Sequence, residues 1–429
     1  MRPLSRCRVS ALARSAVLAP FRVRSFRFQW PADLLTSWSF EMEMLILGWY
    51  VLVETGSVLM LTLFGALLYP GTLIAPMVGV IGDRIGQRNL LCGMRAIFTI
   101  LAATLMALAF AGVLTPALVL VIAALMGIVR PSDQGVRAAL VADTMPHDQL
   151  IGAMAIARTT SDTARIAGAL TGAGLFAALG MGPAYIVVTS FYAVGTLLTL
   201  GVALRPRAAA PQSPAAEILP RPSPWRDLRE GIVYVWTTPQ LLAAMWLAFL
   251  ANLAAFPLSN GLLPYVAREV YGADQTGLGY LVATCAFGAL LGSIGLSMAG
   301  GYIRPGRMML VFAALWYALL LVFAQVQSAA GGLAVLFLAG LMQTLSLVPL
   351  TVVLLRTSGE RFRGRVMGVR MLAIYSLPLG LLAAGAMIER IGFSATATIY
   401  AAVGLLFTLL IGLHWRAHLW RLDAPANAR

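Results

Sequence analysis

The stretch Gly79–Arg88, GVIGDRIGQR, decides how this chain is read. Apolar runs precede it (Val58–Val80) and follow it (Asn89–Ala111). Each is long enough to cross the roughly 30 Å hydrocarbon layer of a bilayer as a helix. A junction this short makes the two helices antiparallel neighbours. Its glycines permit a sharp turn and close backbone approach. Asp83, Arg84 and Arg88 sit where a charge reaches water or a partner.

Working outward, the whole chain has the same character. Its 429 residues are 60% hydrophobic and 11% charged, with a mean hydropathy of +0.84. A soluble domain carries about 25% charged residues, so this composition belongs to a polytopic membrane protein. Breaks at charges, Pro and Gly divide the chain into twelve expected spans. They lie near 32–53, 58–81, 89–112, 115–141, 150–178 and 182–204, then 240–266, 275–300, 307–327, 331–355, 366–388 and 393–414.

All 31 basic residues are arginine, which points to a genome of high G+C content and a bacterial source. The net charge of +14 invites a nucleic-acid reading, but its distribution speaks against one. Arginines cluster at 2–27, 84–95, 205–229, 304–307, 356–370 and 416–429, always on one side of the expected spans. The alternate connections are almost bare. This positive-inside bias places both termini in the cytoplasm of a multi-pass protein of the bacterial inner membrane. The excess charge also meets anionic lipid. The expected partners are therefore the bilayer and a small-molecule substrate, with no nucleic acid.

Cys7, Cys92 and Cys285 are far apart and suggest neither a disulfide framework nor a metal site. His414 and His418 share a helix face but lie in HWRAHLW at a membrane exit, where an interfacial belt is the expected role. No G-x-x-x-x-G-K-[ST] loop and no Ser/His/Asp or zinc constellation is visible. The reading is a protein without catalytic residues, metal or cofactor.

Residues 1–30 hold seven arginines and no acid. They read as a basic cytoplasmic tail, with a targeting segment or an early start site as alternatives. In span 1, Glu41 and Glu43 fall near the midpoint. A carboxylate in hydrocarbon costs several kcal/mol and faces a cavity or a partner. At i and i+2 the two do not share a face, so at most one lines a central path. The other reading, that both are interfacial, stays open here.

Span 4 is the most polar. Arg130 and Asp133 stand at i and i+3 and are expected to pair, while Pro131 and Gly135 bend the helix. Span 5 carries Arg158, Asp162 and Arg165 as one stripe, then Gly168 and Gly172 as a small-xxx-small face for close packing. After span 6, residues 205–224 hold six prolines and read as a linker. It leads into WRDLREGIVYVWTTP, an amphipathic helix for the membrane surface.

The second half repeats the first. Arg304-Pro-Gly306-Arg307 occupies the between-span place of Arg84-Ile-Gly86, about 220 positions later, with Ile303 where the aspartate would be. Polar positions in its spans are Asn252, Asn260 and Gln343, either cavity groups or packing glue. The expected organisation is a tail (1–30), a six-helix half (31–204), a linker with an amphipathic helix (205–238), a second six-helix half (239–415) and a tail (416–429).

The pattern G-x-x-x-D-R-x-G-x-R, filled by Gly79, Asp83, Arg84, Gly86 and Arg88, resembles the signature loop of the major facilitator superfamily. Three further stretches resemble its enterobactin-exporter-like and macrolide-efflux-like branch: GWYVLVETGS, LLPYVAREVYGADQTGLGYL and FRGRVMGVRMLAIYSLPLG. Members often carry Arg followed by Gln-Gly in span 4; here one extra residue separates Arg130 from Gln134-Gly135. Antiporter-type members have a Gly-Pro pair where this chain has Gly168-Ala169.

The resemblance implies an all-α membrane protein, twelve transmembrane helices in two pseudo-symmetric six-helix halves. It implies alternating access about a midplane cavity, a proton gradient as driving force, and export by a monomer. Glu41, Glu43, Arg130, Asp133, Arg165, Asn252 and Gln343 are the cavity or coupling residues to look for. It also implies that Asp83 docks on the start of span 11, at Gly364 and Arg365, and that Arg84 or Arg88 pairs with Asp143, holding the cytoplasmic side shut. A facilitator or importer of the same fold, and a non-transporting membrane component, remain as alternatives. The orientation is tested by cysteine labelling in a background lacking the native cysteines. An impermeant thiol reagent applied outside should label a cysteine in the 267–274 connection and not Ala215→Cys; the reverse pattern overturns it.

Overall fold

The computed structural model describes residues 19–72, 74, 78, 81–82, 84–203, 224–299, 304–359 and 362–421. Every regular element among them is a helix. Among the described residues nine helices are long and apolar enough to cross a membrane, namely those of spans 3, 4 and 6 to 12. Span 1 is Arg24–Thr55 and span 5 is His147–Leu179. Both are also long, but they carry Asp33, Glu41 and Glu43, and Arg158, Asp162 and Arg165. Span 2 begins as Val58–Ala66 and a 3-10 turn, Pro70–Thr72. Its remainder holds Gly79 and Asp83, which lie outside the described residues, as does most of the 205–224 linker.

Alternation of the spans gives the bundle two faces. The terminal face carries the start of span 1, the end of span 12 and the helix Pro224–Thr237. The opposite face carries the turns near residues 56, 112, 180, 272, 326 and 392. Three of the helices leaving the opposite face, those of spans 2, 4 and 10, start on hydroxyl caps: Ser57 accepts from the Met60 amide, Thr115 from Leu118 and Ser328 from Gly331. At the terminal face the helices outrun the expected spans. Span 1 begins at Arg24 and span 12 runs to Arg421. Phe21, Phe26 and Trp30 cluster edge to face there, and the Arg307 guanidinium lies 4.9 Å from the Trp420 ring.

The two halves repeat one another in their packing. Spans 3 and 6 and spans 1 and 6 pair in the first half; spans 9 and 12 and spans 7 and 12 pair in the second. Between halves, span 5 packs on span 8 and span 2 on span 11, the pairs that a two-fold axis along the membrane normal would exchange. Gly168 and Gly172 do serve close approach. A Cβ at Gly168 would stand 2.7 Å from the Glu41 Cβ, and one at Gly172 would stand 2.9 Å from the Met42 Cα. Span 1 thus lies directly against span 5.

Spans 7 and 11 are irregular as well. Span 7, Pro239–Val270, contains three wide π stretches, Ala251–Ala255, Pro257–Gly261 and Val266–Val270. Span 11 breaks at Tyr375, between Arg363–Ile374 and Ser376–Ile391, and Ser376 Oγ donates to the Phe249 carbonyl of span 7 at 2.9 Å. The linker helix Pro224–Thr237 docks on the start of span 11. Arg365 Nη1 is 2.7 Å from Glu230 Oε2, the Tyr234 and Phe362 rings stack at 4.4 Å, and Val235 is buried.

The span 1 to span 5 contact yields a stability test. Gly172→Val should cost about 1–3 kcal/mol by overpacking, whereas Gly174→Val, with open space around its Cβ, should be tolerated. Thermal unfolding of the purified protein in detergent compares them.

Candidate functional site

A cavity of about 430 Å³ lies between the halves, with walls from spans 1, 2, 4, 5, 7, 8 and 11. Its charged groups are Glu41, Arg130 and Arg165, joined by the amides of Gln134 and Asn260. Phe40, Phe64, Tyr69 and Phe256 add aromatic surface. A smaller cavity shares Phe40, Glu41, Arg130 and Gln134 with it and reaches Asp133 and Arg137.

Helical geometry sorts the two glutamates. At 3.6 residues per turn, positions i and i+2 point about 200° apart. Glu41 faces the cavity. Glu43 is 1% exposed inside the first half, where it accepts hydrogen bonds from Tyr192 Oη at 3.0 Å and Tyr185 Oη at 3.4 Å, both on span 6. The reading of both as interfacial is thereby corrected, and Glu43 is a buried hydrogen-bond acceptor that does not line the path.

The expected Arg130–Asp133 pair is also corrected. Asp133 Oδ2 accepts from Arg137 Nε at 2.6 Å, and Arg130 instead lies over the Phe40 ring. Side chains on a helix lean toward its N-terminus. Arg137 therefore leans back onto Asp133, while Arg130 leans away from it. Arg137 goes on to donate to Ser37 Oγ at 2.8 Å and approaches Asp33 at 3.9 Å. Asp33 in turn pairs with Arg95, whose guanidinium also donates to Thr199 Oγ1. Arg95 is fully buried. This network ties spans 1, 3, 4 and 6 together.

On span 5 the expected stripe divides. Arg158 pairs with Asp162 at 3.4 Å, while Arg165 reaches across to Asn260 Oδ1 on span 7. Asn260 stands in the second π stretch, a common setting for functional residues. Asn252 and Gln343 do not line the cavity. Asn252 donates to the Ala248 carbonyl of its own helix at 2.8 Å, and Gln343 is buried in span 10.

At the terminal face, Gly86 has φ +87°, a conformation that favours glycine, and stands just before the span 3 helix. Arg84, Asp143 and Gly364 are exposed. Arg88 Nη1 donates to the Val202 carbonyl at 3.1 Å rather than to Asp143. Among the described residues no ion pair joins Arg84 or Arg88 to Asp143, and Arg365 is engaged with Glu230. The opposite face is closed. Arg268 Nη1 donates to the Leu52 carbonyl at 2.9 Å, Ser57 Oγ to Glu389 Oε1 at 3.1 Å, and Gly279 sits against Ala169 and Ala173. Arg88 finds its acceptor at the end of span 6 instead, and Asp143 stays exposed within the same half.

Sequence reading missed Asp33 and Arg95. The signal was available: each is a charge inside an otherwise apolar run, and such residues mark partners by default.

Two packed halves enclosing a partly charged cavity define a polytopic membrane protein. The chain belongs to the Major Facilitator Superfamily, whose family profile matches residues 30–379. Solved structures agree on the fold. A peptide transporter POT in complex with sulfate aligns with a TM-score of 0.69 at 13% identity, covering 94% of this chain and 96% of that one. The nucleoside transporter NupG gives 0.67 at 12%, covering 90% and 98%. The human organic anion transporter MFSD10 gives 0.63 at 17%, covering 90% and 99%. None of the curated proteins is similar enough in sequence to count as a match.

The buried network predicts its own energetics. Arg95→Met alone should destabilise the protein by about 3–5 kcal/mol, because it strands a buried carboxylate. The double change Asp33→Leu with Arg95→Met should be less harmful than the single one. Thermal unfolding of both variants decides the matter.

Proposed function

We propose that the protein is a secondary active transporter that moves a small amphipathic molecule by alternating access, coupled to protons and in the direction of export. The observation that carries this reading is the cavity: both halves wall it, it holds charge from the middle of the spans, and the halves join on one face of it. The arginine-rich terminal face is the cytoplasmic one in this reading, so the structure represents an inward-facing conformation. Within the superfamily, the three branch-like stretches support the enterobactin-exporter-like and macrolide-efflux-like group. The described chain acts as a monomer in this proposal, since one copy supplies the whole cavity wall.

Glu41 is the proposed proton-carrying group, because it is the carboxylate in the main cavity wall. In the opposite conformation the signature loop closes the cytoplasmic face. Asp83 then docks on the start of span 11, where unpaired amides and a partial positive charge attract a carboxylate. A contact of this kind is worth roughly 1–2 kcal/mol, about tenfold in a two-state equilibrium. In the inward-facing form Arg365, beside that docking point, is held by Glu230 instead.

The test uses everted membrane vesicles energised with a pH gradient and a panel of fluorescent amphipathic compounds. Wild type should show gradient-dependent accumulation, and Glu41→Gln should lower it at least tenfold with expression unchanged. Glu43→Gln should have the smaller effect. Accumulation that ignores the gradient in wild type would favour the facilitator; equal activity in Glu41→Gln would remove Glu41 from coupling.

A further inference from the structure

We infer that the cavity takes an amphipathic organic anion, its acidic head on Arg130 and Arg165 of the first half and its apolar body against the second half. This rests on the transporter reading above and names its substrate class.

The charge distribution carries the inference. Glu41, Arg130 and Arg165 are the charged residues of the main cavity wall, and all three come from the first half. The other acids of the first-half interior are committed elsewhere. Asp33 is held by Arg95, Asp133 by Arg137, Asp162 by Arg158, and Glu43 by two tyrosine hydroxyls. Among the described residues neither Arg130 nor Arg165 forms an ion pair; Arg130 lies over Phe40 and Arg165 bonds the neutral Asn260 amide. One carboxylate thus faces two guanidinium groups, and the wall carries an excess positive charge.

A guanidinium presents a planar fork of donors that matches a carboxylate or phosphate. In a cavity of low dielectric such a group gains more from an anion than it would in water. The facing wall has a different character. Phe256, Leu278, Val282, Leu377 and Leu381 line it without a charge, and Asn260 is its polar group. A ligand that satisfies both walls has an acidic end and an apolar end, and the cavity fixes which end points to which half. At about 430 Å³ it falls within the roughly 300–1,000 Å³ of sites for drug-sized molecules.

The test reads the cavity charge without requiring the natural substrate. Met44→Cys places one thiol in the wall, in a background lacking the native cysteines. Its reaction rates with ethylsulfonate and ethyltrimethylammonium methanethiosulfonates are compared with those of a free thiol in solution. The anionic reagent should be favoured at least tenfold over the free-thiol ratio. Arg130→Gln and Arg165→Gln should each lower that preference several-fold, and Arg130→Lys, which keeps the charge, should retain it. 2-Naphthoate should protect the thiol, and 2-naphthylmethylammonium should not. A ratio at or below that of the free thiol, a ratio indifferent to loss of both arginines, equal loss in Arg130→Lys, or better protection by the ammonium overturns the proposal. The same thiol probed in right-side-out and inverted vesicles separates the two readings. An anion-preferring cavity reached from one face under every gradient keeps the charge assignment and removes transport. A cation-preferring cavity reached from both faces does the reverse.

Discussion

A charge placed in hydrocarbon has to find a partner, and the first half of this protein is built around meeting that demand. Asp33 on span 1 meets Arg95 on span 3, Arg95 meets Thr199 on span 6, and Arg137 on span 4 meets both Asp133 and Ser37. Each contact joins groups that would be costly alone, so the helices that carry them are held in one register. The network lies on the terminal-face side of the cavity. It leaves Arg130, one helical turn before Asp133, free of that pairing and turned toward the path.

The second half is held differently. Its interior relies on aliphatic and aromatic packing, with Trp316, Tyr317, Leu320 and Phe323 of span 9 fully or almost fully buried. Its irregularities do the positioning that charges do in the first half. The π stretches of span 7 carry Asn260 to the wall, and the break at Tyr375 lets Ser376 bond the span 7 backbone. A rigid charged half facing a more apolar half with interrupted helices gives the cavity two unlike walls.

Closure at the opposite face depends on small residues more than on ion pairs. Gly48 faces Pro264, Gly279 faces Ala169 and Ala173, and two hydrogen bonds join the rims. Small side chains let backbones approach closely, which is what holds helices together where lipid removes the hydrophobic advantage of burial. At the terminal face the linker helix clasps the start of span 11 through Glu230 and Tyr234. The point to which the signature loop is proposed to bind therefore already has a neighbour, one that belongs to the connection between the halves.

The sequence by itself determined the class of protein, the course of the spans and the two-half repeat. Apolar length and charge placement are local properties, and the bilayer imposes them on any chain that crosses it. It also marked Glu41, Arg130 and Arg165 as charges needing an explanation, and Gly168 and Gly172 as a packing face. The tertiary structure alone decided how those charges were shared out. Which of Glu41 and Glu43 meets the cavity depends on how span 1 is rotated, and that is set by spans 5 and 6 packed against it. Whether Asp133 takes Arg130 or Arg137 depends on the direction in which helical side chains lean. The partnership of Asp33 with Arg95 joins residues 62 positions apart. No local pattern encodes such a contact, because it exists only once spans 1 and 3 have come together.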